Sequence, residues 1–313
     1  MNREQLRTPE SEYSAQKHAD VLLPPASSEQ APARGQMSVS PATVRAPAGL
    51  WQRMRLLPST REFILARDLL RELVVRDMKV RYKRSALGFI WSMLNPLLQL
   101  LVLYFVFSLL LPRNIPNYPA YLFTGLLAYG WFQGSVLQGA YSISGNRELI
   151  RRPGFTMTIL PVVTTLTNLI HFLLSLPVLL AVLILGGSEP TAAIAALPLL
   201  MMIEFLVIIG LTYLVAGANV IFHDIEHLLP IVIRLLFFLT PIFYGIEIIP
   251  AEVLPIYRLN PLVNLIVAYR DILIEGTLPD WSSLLWPCLF GLVFFVIGYK
   301  VFMRINYRFV DEL

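Results

Sequence analysis

Charged residues are scarce in this sequence. Asp, Glu, Lys and Arg make up 15% of its 313 residues, whereas an ordinary soluble domain has about 25%. Hydrophobic residues make up 56% and the mean hydropathy is +0.63, so a water-soluble globular enzyme is excluded. Cysteine is scarce too: Cys288 is the single one, which excludes an intrachain disulfide and a CxxC metal site.

The scarcity of charge leaves five long runs without Asp, Glu, Lys or Arg. About 20 mostly apolar residues cross a bilayer, and a helix satisfies its own backbone hydrogen bonds in lipid. The sequence therefore predicts an all-α integral membrane protein with six transmembrane helices. They are predicted near Ala86–Leu111, Tyr121–Ile143, Thr158–Leu185, Ala192–Phe222, Leu229–Gly245 and Leu284–Met303.

The basic residues predict the orientation. Of the 25 Lys and Arg residues, 15 precede Leu87, and further groups lie between the second and third predicted spans and near the C-terminus. By the positive-inside rule both termini are cytoplasmic. The net charge of +4 thus reports topology, and no nucleic-acid partner is expected. We expect a disordered cytoplasmic arm at 1–50, poor in apolar residues, an amphipathic interface helix at 51–85 and a six-helix transmembrane domain at 86–313.

The interface helix is predicted from its periodicity. Apolar residues between Ala66 and Met78 recur at three and four positions, and charged residues occupy the other face. The basic residues assigned to this interface are Arg67, Arg71, Arg76 and Lys79. Such a helix lies in the headgroup layer of the membrane lipid. It is either a passive anchor or a docking edge for a cytoplasmic partner.

Three ordered blocks of sequence accompany this frame. They comprise LVVRDMKVRYKRSALGFIW at 73–91 with LNPL at 94–97, ANVIFHDI at 218–225 with PIFY at 241–244, and LNPL at 259–262 with YRD at 269–271. Together they resemble the permease subunit of ABC exporters for O-antigen and related lipid-linked polysaccharides, from about Trp51 to the C-terminus. Two positions depart from the family pattern: His223 stands where relatives often have Arg, and Phe155-Thr156 where they often have Phe-Pro.

The resemblance implies a homodimeric channel in the bacterial cytoplasmic (inner) membrane, a polyprenyl-linked polysaccharide as the substrate, and two copies of a cytoplasmic ABC ATPase. The 313 residues contain no GxxxxGK[ST] loop to hold nucleotide phosphates. We therefore expect no enzymatic activity and no cofactor in this chain, with ATP and Mg bound by the partner ATPase. Within the same architecture, a drug or a lipid is the alternative substrate.

The turn between the second and third spans predicts a mechanical contact. A short helix there is ended by Pro153-Gly154, and its apolar residues are free to enter a groove. Basic residues in such a turn also report topology alone. The resemblance implies a coupling helix that contacts the ATPase, formed by Asn146, Arg147, Leu149, Ile150, Arg151 and Arg152.

The segment 247–278 is too long and too apolar for a simple loop. Its two parts, 249–255 and 260–269, predict short helices, each opened by a proline near the first turn. The resemblance implies re-entrant gate helices at the outward end of the channel, and a hairpin lying on the surface is the alternative. The gate residues are Tyr244, Asn260, Pro261, Tyr269 and Arg270.

Aromatic residues crowd the first two spans. Sugar rings can stack on such side chains, but Trp and Tyr are also common in interfacial belts, and Phe is ordinary packing. The candidate channel-lining residues are Phe89, Trp91, Tyr104, Tyr129 and Trp131.

Two features favour other classes of protein. Glu204 is an ionisable group within the fourth span, where a carboxylate costs about 2.5–3.5 kcal/mol, but one carboxylate without a basic partner is poor evidence for a proton relay. His223-Asp224-Ile225-Glu226-His227 has the H-x-x-E-H spacing of one metalloprotease class, but a zinc site needs a third protein ligand. A membrane-embedded glycosyl or phosphosugar transferase is the remaining alternative.

Overall fold

The computed structural model describes residues 60–308 apart from 84, 86, 87, 89 and 111–114. The predicted arm at 1–50, the first residues of the predicted interface helix and Phe89 lie outside this part. Its regular structure is helical, which confirms the all-α prediction. The α-helices are α1 Thr60–Tyr82, α2 Ile90–Leu110, α3 Tyr118–Ala140, α4 Arg147–Ile150, α5 Ile159–Leu185, α6 Leu197–Ile221, α7 Ile225–Phe238, α8 Leu254–Tyr257, α9 Pro261–Arg270 and α10 Trp281–Ile305.

In the part of the chain that the structure describes, three helices are long and apolar enough to cross a membrane by length and composition: Ile159–Leu185, Ala192–Ile221 and Trp281–Ile305. They correspond to the predicted third, fourth and sixth spans. The apolar part of α2, Met93–Phe107, is shorter. Helix α7 has 14 residues, a length of about 21 Å at 1.5 Å per residue, against a hydrocarbon core of about 30 Å. The full count of six spans stays a prediction.

Helices α6 and α10 pack with their backbones in close approach. A Cβ on Gly210 would lie 2.5 Å from the Phe295 backbone nitrogen, and one on Gly291 would lie 2.8 Å from the Val207 nitrogen. Gly298 faces the carbonyl oxygen of Gly210 in the same way. Small residues drive such packing in lipid, where van der Waals contact replaces the hydrophobic effect. We call this contact the α6–α10 seam.

The amphipathic helix α1 is held by its apolar stripe. Leu73 and Val74 are 5% and 9% exposed, and they pack in a cluster with Ile150, Leu160 and Phe302. The cluster joins α1 to α4, to the start of α5 and to the end of α10. Buried apolar side chains contribute about 1.5–3 kcal/mol each where they leave water, so α1 is fixed to the helices beside it.

The segment after α7 contains the two predicted short helices. The first begins at Leu254, later than the proline at 250, and the second begins at Pro261. Asn260 caps the second helix, because its Oδ1 accepts a hydrogen bond from the Leu262 amide at 3.1 Å. Helix α9 is buried along most of its length. Its re-entrant course stays a prediction.

Candidate functional site

A hydrogen bond joins the predicted interface helix directly to the predicted coupling turn. The Arg76 guanidinium donates to Asn146 Oδ1 at 2.8 Å and to Asp77 Oδ1 at 2.8 Å. The Asn146 amide in turn donates to the Ser142 carbonyl at 2.9 Å. Together with the apolar cluster around Leu73, these bonds make one body of α1 and residues 142–152, which we call the α1–α4 unit.

The predicted coupling residues fall into two groups within this unit. Arg147, Arg151 and Arg152 are exposed. Ile150 is 3% exposed and belongs to the apolar cluster, and Leu149 packs against it. The expectation that Ile150 is free to enter a partner's groove is therefore corrected, because its side chain is already buried in its own chain.

The basic residues of α1 form a solvent-facing groove. Arg67, Arg71, Arg76 and Lys79 line it, with Asp68 and Glu72 between them. Arg67 pairs with Asp68 at 3.0 Å, but both side chains are more than half exposed, and such surface pairs contribute about 0–1 kcal/mol. The groove presents mixed charge with a basic excess, which suits either a protein surface or anionic headgroups.

A polar cleft of about 610 Å³ lies between the end of α1 and the helices α2, α3 and α5. Its volume is within the range of ligand sites, about 300–1,000 Å³. Amide and imidazole side chains from three apolar helices converge on it: Asn95 and Gln99 from α2, Gln133 and Gln138 from α3, and Asn168 and His171 from α5. None of the residues predicted from the sequence belongs to this set, although Asn95 and Gln99 are four residues apart, and Asn168 and His171 three apart, within the charge-free runs.

Aromatic rings form further walls of the polar cleft. Trp91 lines it with 48% of its surface exposed. Trp131 and Phe172 also line it, with ring centroids 5.4 Å apart, and the Trp131 indole donates to the Thr165 carbonyl at 3.4 Å. The structure thus brings together two of the predicted channel-lining residues, Trp91 and Trp131.

The other aromatic candidates lie elsewhere. Tyr129 is 1% exposed, and its hydroxyl donates to the Ile233 carbonyl on α7. Tyr104 is 42% exposed on α2, with its ring 6.3 Å from that of Tyr118. Neither residue lines the polar cleft, and a role for them in a channel stays a prediction.

A hydrogen-bonded chain connects α1 to the floor of the polar cleft. Arg81, near the end of α1, donates to Gln138 Oε1. The Asn168 amide donates to the same Gln138 oxygen at 3.2 Å and to the Thr164 carbonyl at 2.9 Å. Because Arg76 and Arg81 lie on one helix, α1 touches the coupling turn with one arginine and the cleft with the other.

Arg270, one of the predicted gate residues, is a buried arginine. Arg270 is 5% exposed; its guanidinium carbon lies 3.4 Å from the centroid of the Tyr121 ring, and it donates to the Ile242 carbonyl at 2.9 Å. Among the described residues no carboxylate lies within ion-pair distance of it. The Tyr121 hydroxyl donates to the Tyr244 carbonyl at 3.0 Å, so α3 and α9 together hold the PIFY segment.

Two further gate residues tie α9 to its neighbours. The Tyr269 hydroxyl donates to Glu204 Oε2 at 2.6 Å, and both residues are 1% exposed. Asn260 donates from its Nδ2 to Thr240 Oγ1 at 3.0 Å, beside the cap that it forms with Pro261 as the first residue of α9. Glu204 therefore serves as the acceptor that fixes α9 against α6.

The H-x-x-E-H segment contributes no clustered ligands. His223 and His227 are exposed, and among the described residues no group of three His, Cys, Asp or Glu could hold a metal ion.

Comparison with known proteins gives a consistent picture. The profile described as ABC-2 type transporter matches residues 68–274. The chain is 36% identical over 255 residues to the O-antigen export system permease protein RfbA of Myxococcus xanthus, covering 81% of this chain and 98% of that protein. It is 33% identical to the RfbA of Klebsiella pneumoniae, covering 79% and 95%, and 26% identical to the polysialic acid transport protein KpsM of Escherichia coli, covering 74% and 90%.

Proposed function

Because this chain belongs to the ABC-2 type transporter family, we propose that it is the channel-forming membrane subunit of an exporter that moves a polyprenyl-linked polysaccharide of the O-antigen type outward. The names of its relatives, O-antigen export permeases and a polysialic acid transport protein, support this substrate class. A multi-pass position in the bacterial inner membrane agrees with its apolar helices. Both termini are assigned to the cytoplasm by the positive-inside rule.

One observation carries the mechanism: α1 is bonded both to the coupling turn and to the polar cleft. Arg76 holds Asn146, and five residues further along Arg81 holds Gln138. A push on the exposed arginines of the turn therefore moves α1, and the movement of α1 acts on the wall of the cleft. ATP binding by the partner would shift the channel between closed and open populations in this way.

The remaining parts of the assembly follow from the family. Two copies of this chain form the channel, and two copies of a separate ABC ATPase bind and hydrolyse ATP with Mg. The chain itself has no phosphate-binding loop, so its own contribution is to bind, to transmit movement and to enclose the path. The gate residues, with Arg270 among them, close the outward end of the channel.

A complementation experiment tests this function. In a strain deleted for the gene, the wild-type chain should restore surface polysaccharide and should co-purify with an ATPase subunit. Replacing Arg151 and Arg152 by Glu should abolish both, because the two substitutions reverse the charge of the proposed contact with the ATPase. Arg258→Glu, an exposed arginine far from the turn in sequence, is the control and should keep both. Full export by the double variant, or a wild-type complex without any ATPase, would contradict the proposal.

A further inference from the structure

We propose that the polar cleft binds a stretch of uncharged pyranose rings from the transported glycan. This rests on the proposed function for the presence of a glycan, whereas the site and its preference for uncharged sugar are assigned from the geometry of the cleft. The residues that carry the assignment are Trp91, Asn95, Gln99, Gln133 and His171.

The exposed amides of this region require water or a ligand. Asn95, Gln99 and Gln133 are exposed within α2 and α3. Transferring an amide from water to hydrocarbon without a hydrogen-bond partner costs several kcal/mol. Polar side chains in membrane helices therefore face protein or a hydrated cavity. All three line the same cleft, while the exposed residues of α2 outside it are apolar, such as Leu101 and Phe105. The cleft is therefore a hydrated compartment beside a lipid-facing surface.

The chemistry of the walls matches a sugar. A pyranose ring carries hydroxyl groups that both donate and accept around its edge, and C–H groups on its faces. Each amide offers two N–H donors and a carbonyl acceptor, and the exposed indole of Trp91 offers a flat apolar face. A few apolar walls with convergent polar groups are the usual composition of a small-molecule site.

The charge of the cleft selects against an acidic ligand. Among the residues that the structure describes, no Asp, Glu or Lys lines it, and Arg81 stands at the α1 end, where it is engaged with Gln138. A carboxylate or phosphate deeper in the cleft would meet no opposite charge in a medium of low dielectric constant. The basic groove on α1 has the opposite character, since Arg67, Arg71 and Lys79 line it.

Two glycines of α3 make the cleft testable without damage to the fold. A Cβ on Gly130 would meet nothing within 4 Å and would project into the cleft, which Gly130 lines. A Cβ on Gly134 would instead lie 2.8 Å from Asn168 Oδ1. Gly130→Leu therefore fills the cleft while the packing between α3 and α5 stays as it is.

Direct binding to the purified full-length chain in nanodiscs tests the inference. The probe is a set of short oligosaccharides prepared from the cell-surface polysaccharide of the source strain, with the lipid removed. We expect saturable binding by the wild-type chain, measured as heat by isothermal titration calorimetry. Gly130→Leu and, independently, Trp91→Ala should weaken binding about tenfold or more, which is about 1.4 kcal/mol. Met202→Trp, which adds bulk at a 68% exposed residue of α6, should bind within about twofold of the wild type.

Three results would overturn the inference: no saturable binding by the wild-type chain, equal binding by Gly130→Leu and Met202→Trp, or tighter binding of a sulfated oligosaccharide of the same length. The unfolding temperature of each variant in the same nanodiscs separates lost binding from lost folding. Surface polysaccharide in cells reports the proposed function separately. Binding without export would leave the site standing and contradict the proposed function, and export without any binding would contradict the site alone.

Discussion

The α6–α10 seam and the polar cleft are opposite solutions to packing helices in a membrane. At the seam, glycines bring two backbones so close that a Cβ on Gly210 has no room. At the cleft, α2, α3 and α5 line a volume of about 610 Å³, and a Cβ on Gly130 would meet nothing within 4 Å. Both regions contain glycine. At the seam, glycine allows the two backbones to touch, whereas at the cleft the space beside Gly130 stays unfilled.

The comparison indicates a division between scaffold and moving parts. The seam contains no free space between the backbones of α6 and α10, so these two helices stay together. Helix α9 is fixed to α6 by the hydrogen bond from Tyr269 to Glu204. The cleft lies beside α1, whose arginines connect it to the coupling turn. Packed interiors are bistable rather than continuously deformable, so rearrangement is expected on the side where volume is available.

The difference between Gly210 and Gly130 is tested by giving both positions the same side chain. Gly210→Leu should cost more than about 3 kcal/mol, because the backbone of α10 must move away. Gly130→Leu should leave stability unchanged or raise it by about 0.5–1 kcal/mol, since glycine disfavours a helix interior. The unfolding temperature and monodispersity of the purified variants measure both. Equal losses would show that the two glycines do not differ as described.

The Tyr269–Glu204 bond is the second largest expected effect. Tyr269→Phe leaves a buried carboxyl without its donor and should destabilise the chain by about 1–3 kcal/mol. In a Glu204→Leu background the same change should cost less than half as much, because the partner is already absent. A double-mutant cycle on unfolding free energies measures the coupling. Independent, additive costs would contradict a direct role for the bond in fixing α9.

Much of the scaffold could be predicted from the sequence. Helices α5, α6 and α10 begin and end within a few residues of the predicted spans, except that α6 is preceded by a separate turn at Ala192–Ala196 and α10 starts at Trp281. Long runs without charge specify such helices by themselves. Helix α7 is shorter than predicted because it ends at Phe238, before Thr240-Pro241, and proline cannot continue a helix.

The candidate site could be predicted only in part, because its contacts join distant parts of the chain. Arg76 and Asn146 are 70 residues apart, and Arg81 and Gln138 are 57 apart. Periodicity places each residue on a helix face but does not say which faces meet. The same limit explains Ile150, whose apolar character fits a partner's groove and its own core equally well, and the structure places it in the core.

A smaller effect on stability is expected at the α1–α4 unit. Arg76→Ala removes three charged hydrogen bonds, two to Asp77 and one to Asn146, from a side chain that is 38% exposed, so we expect a loss of about 0.5–1 kcal/mol after screening by solvent. Export should fall further than stability, since the turn is no longer held to α1. Arg258→Ala changes an exposed arginine outside this unit and serves as the control. The export rate in cells, compared with the unfolding temperature of each variant, tests the prediction. Equal losses of export in Arg76→Ala and in the control variant would contradict it.

The smallest expected effect concerns the start of α10, on the scaffold side of the comparison. Asp280 accepts hydrogen bonds from the Ser282 amide at 3.0 Å and from the Ser282 hydroxyl at 2.8 Å, and these bonds hold its carboxyl pKa below the ordinary value. A depressed pKa means that the carboxylate stabilises the fold above the unfolded pKa of 3.8, and that this contribution is lost as the pH falls through the folded pKa. Asp280→Asn keeps the cap without the charge, so its unfolding temperature should approach that of the wild type as the pH is lowered below that value. A difference that persists unchanged in acid would mean that the helix start does not depend on this carboxylate, and the stability of the scaffold would then rest on the α6–α10 seam rather than on its capping.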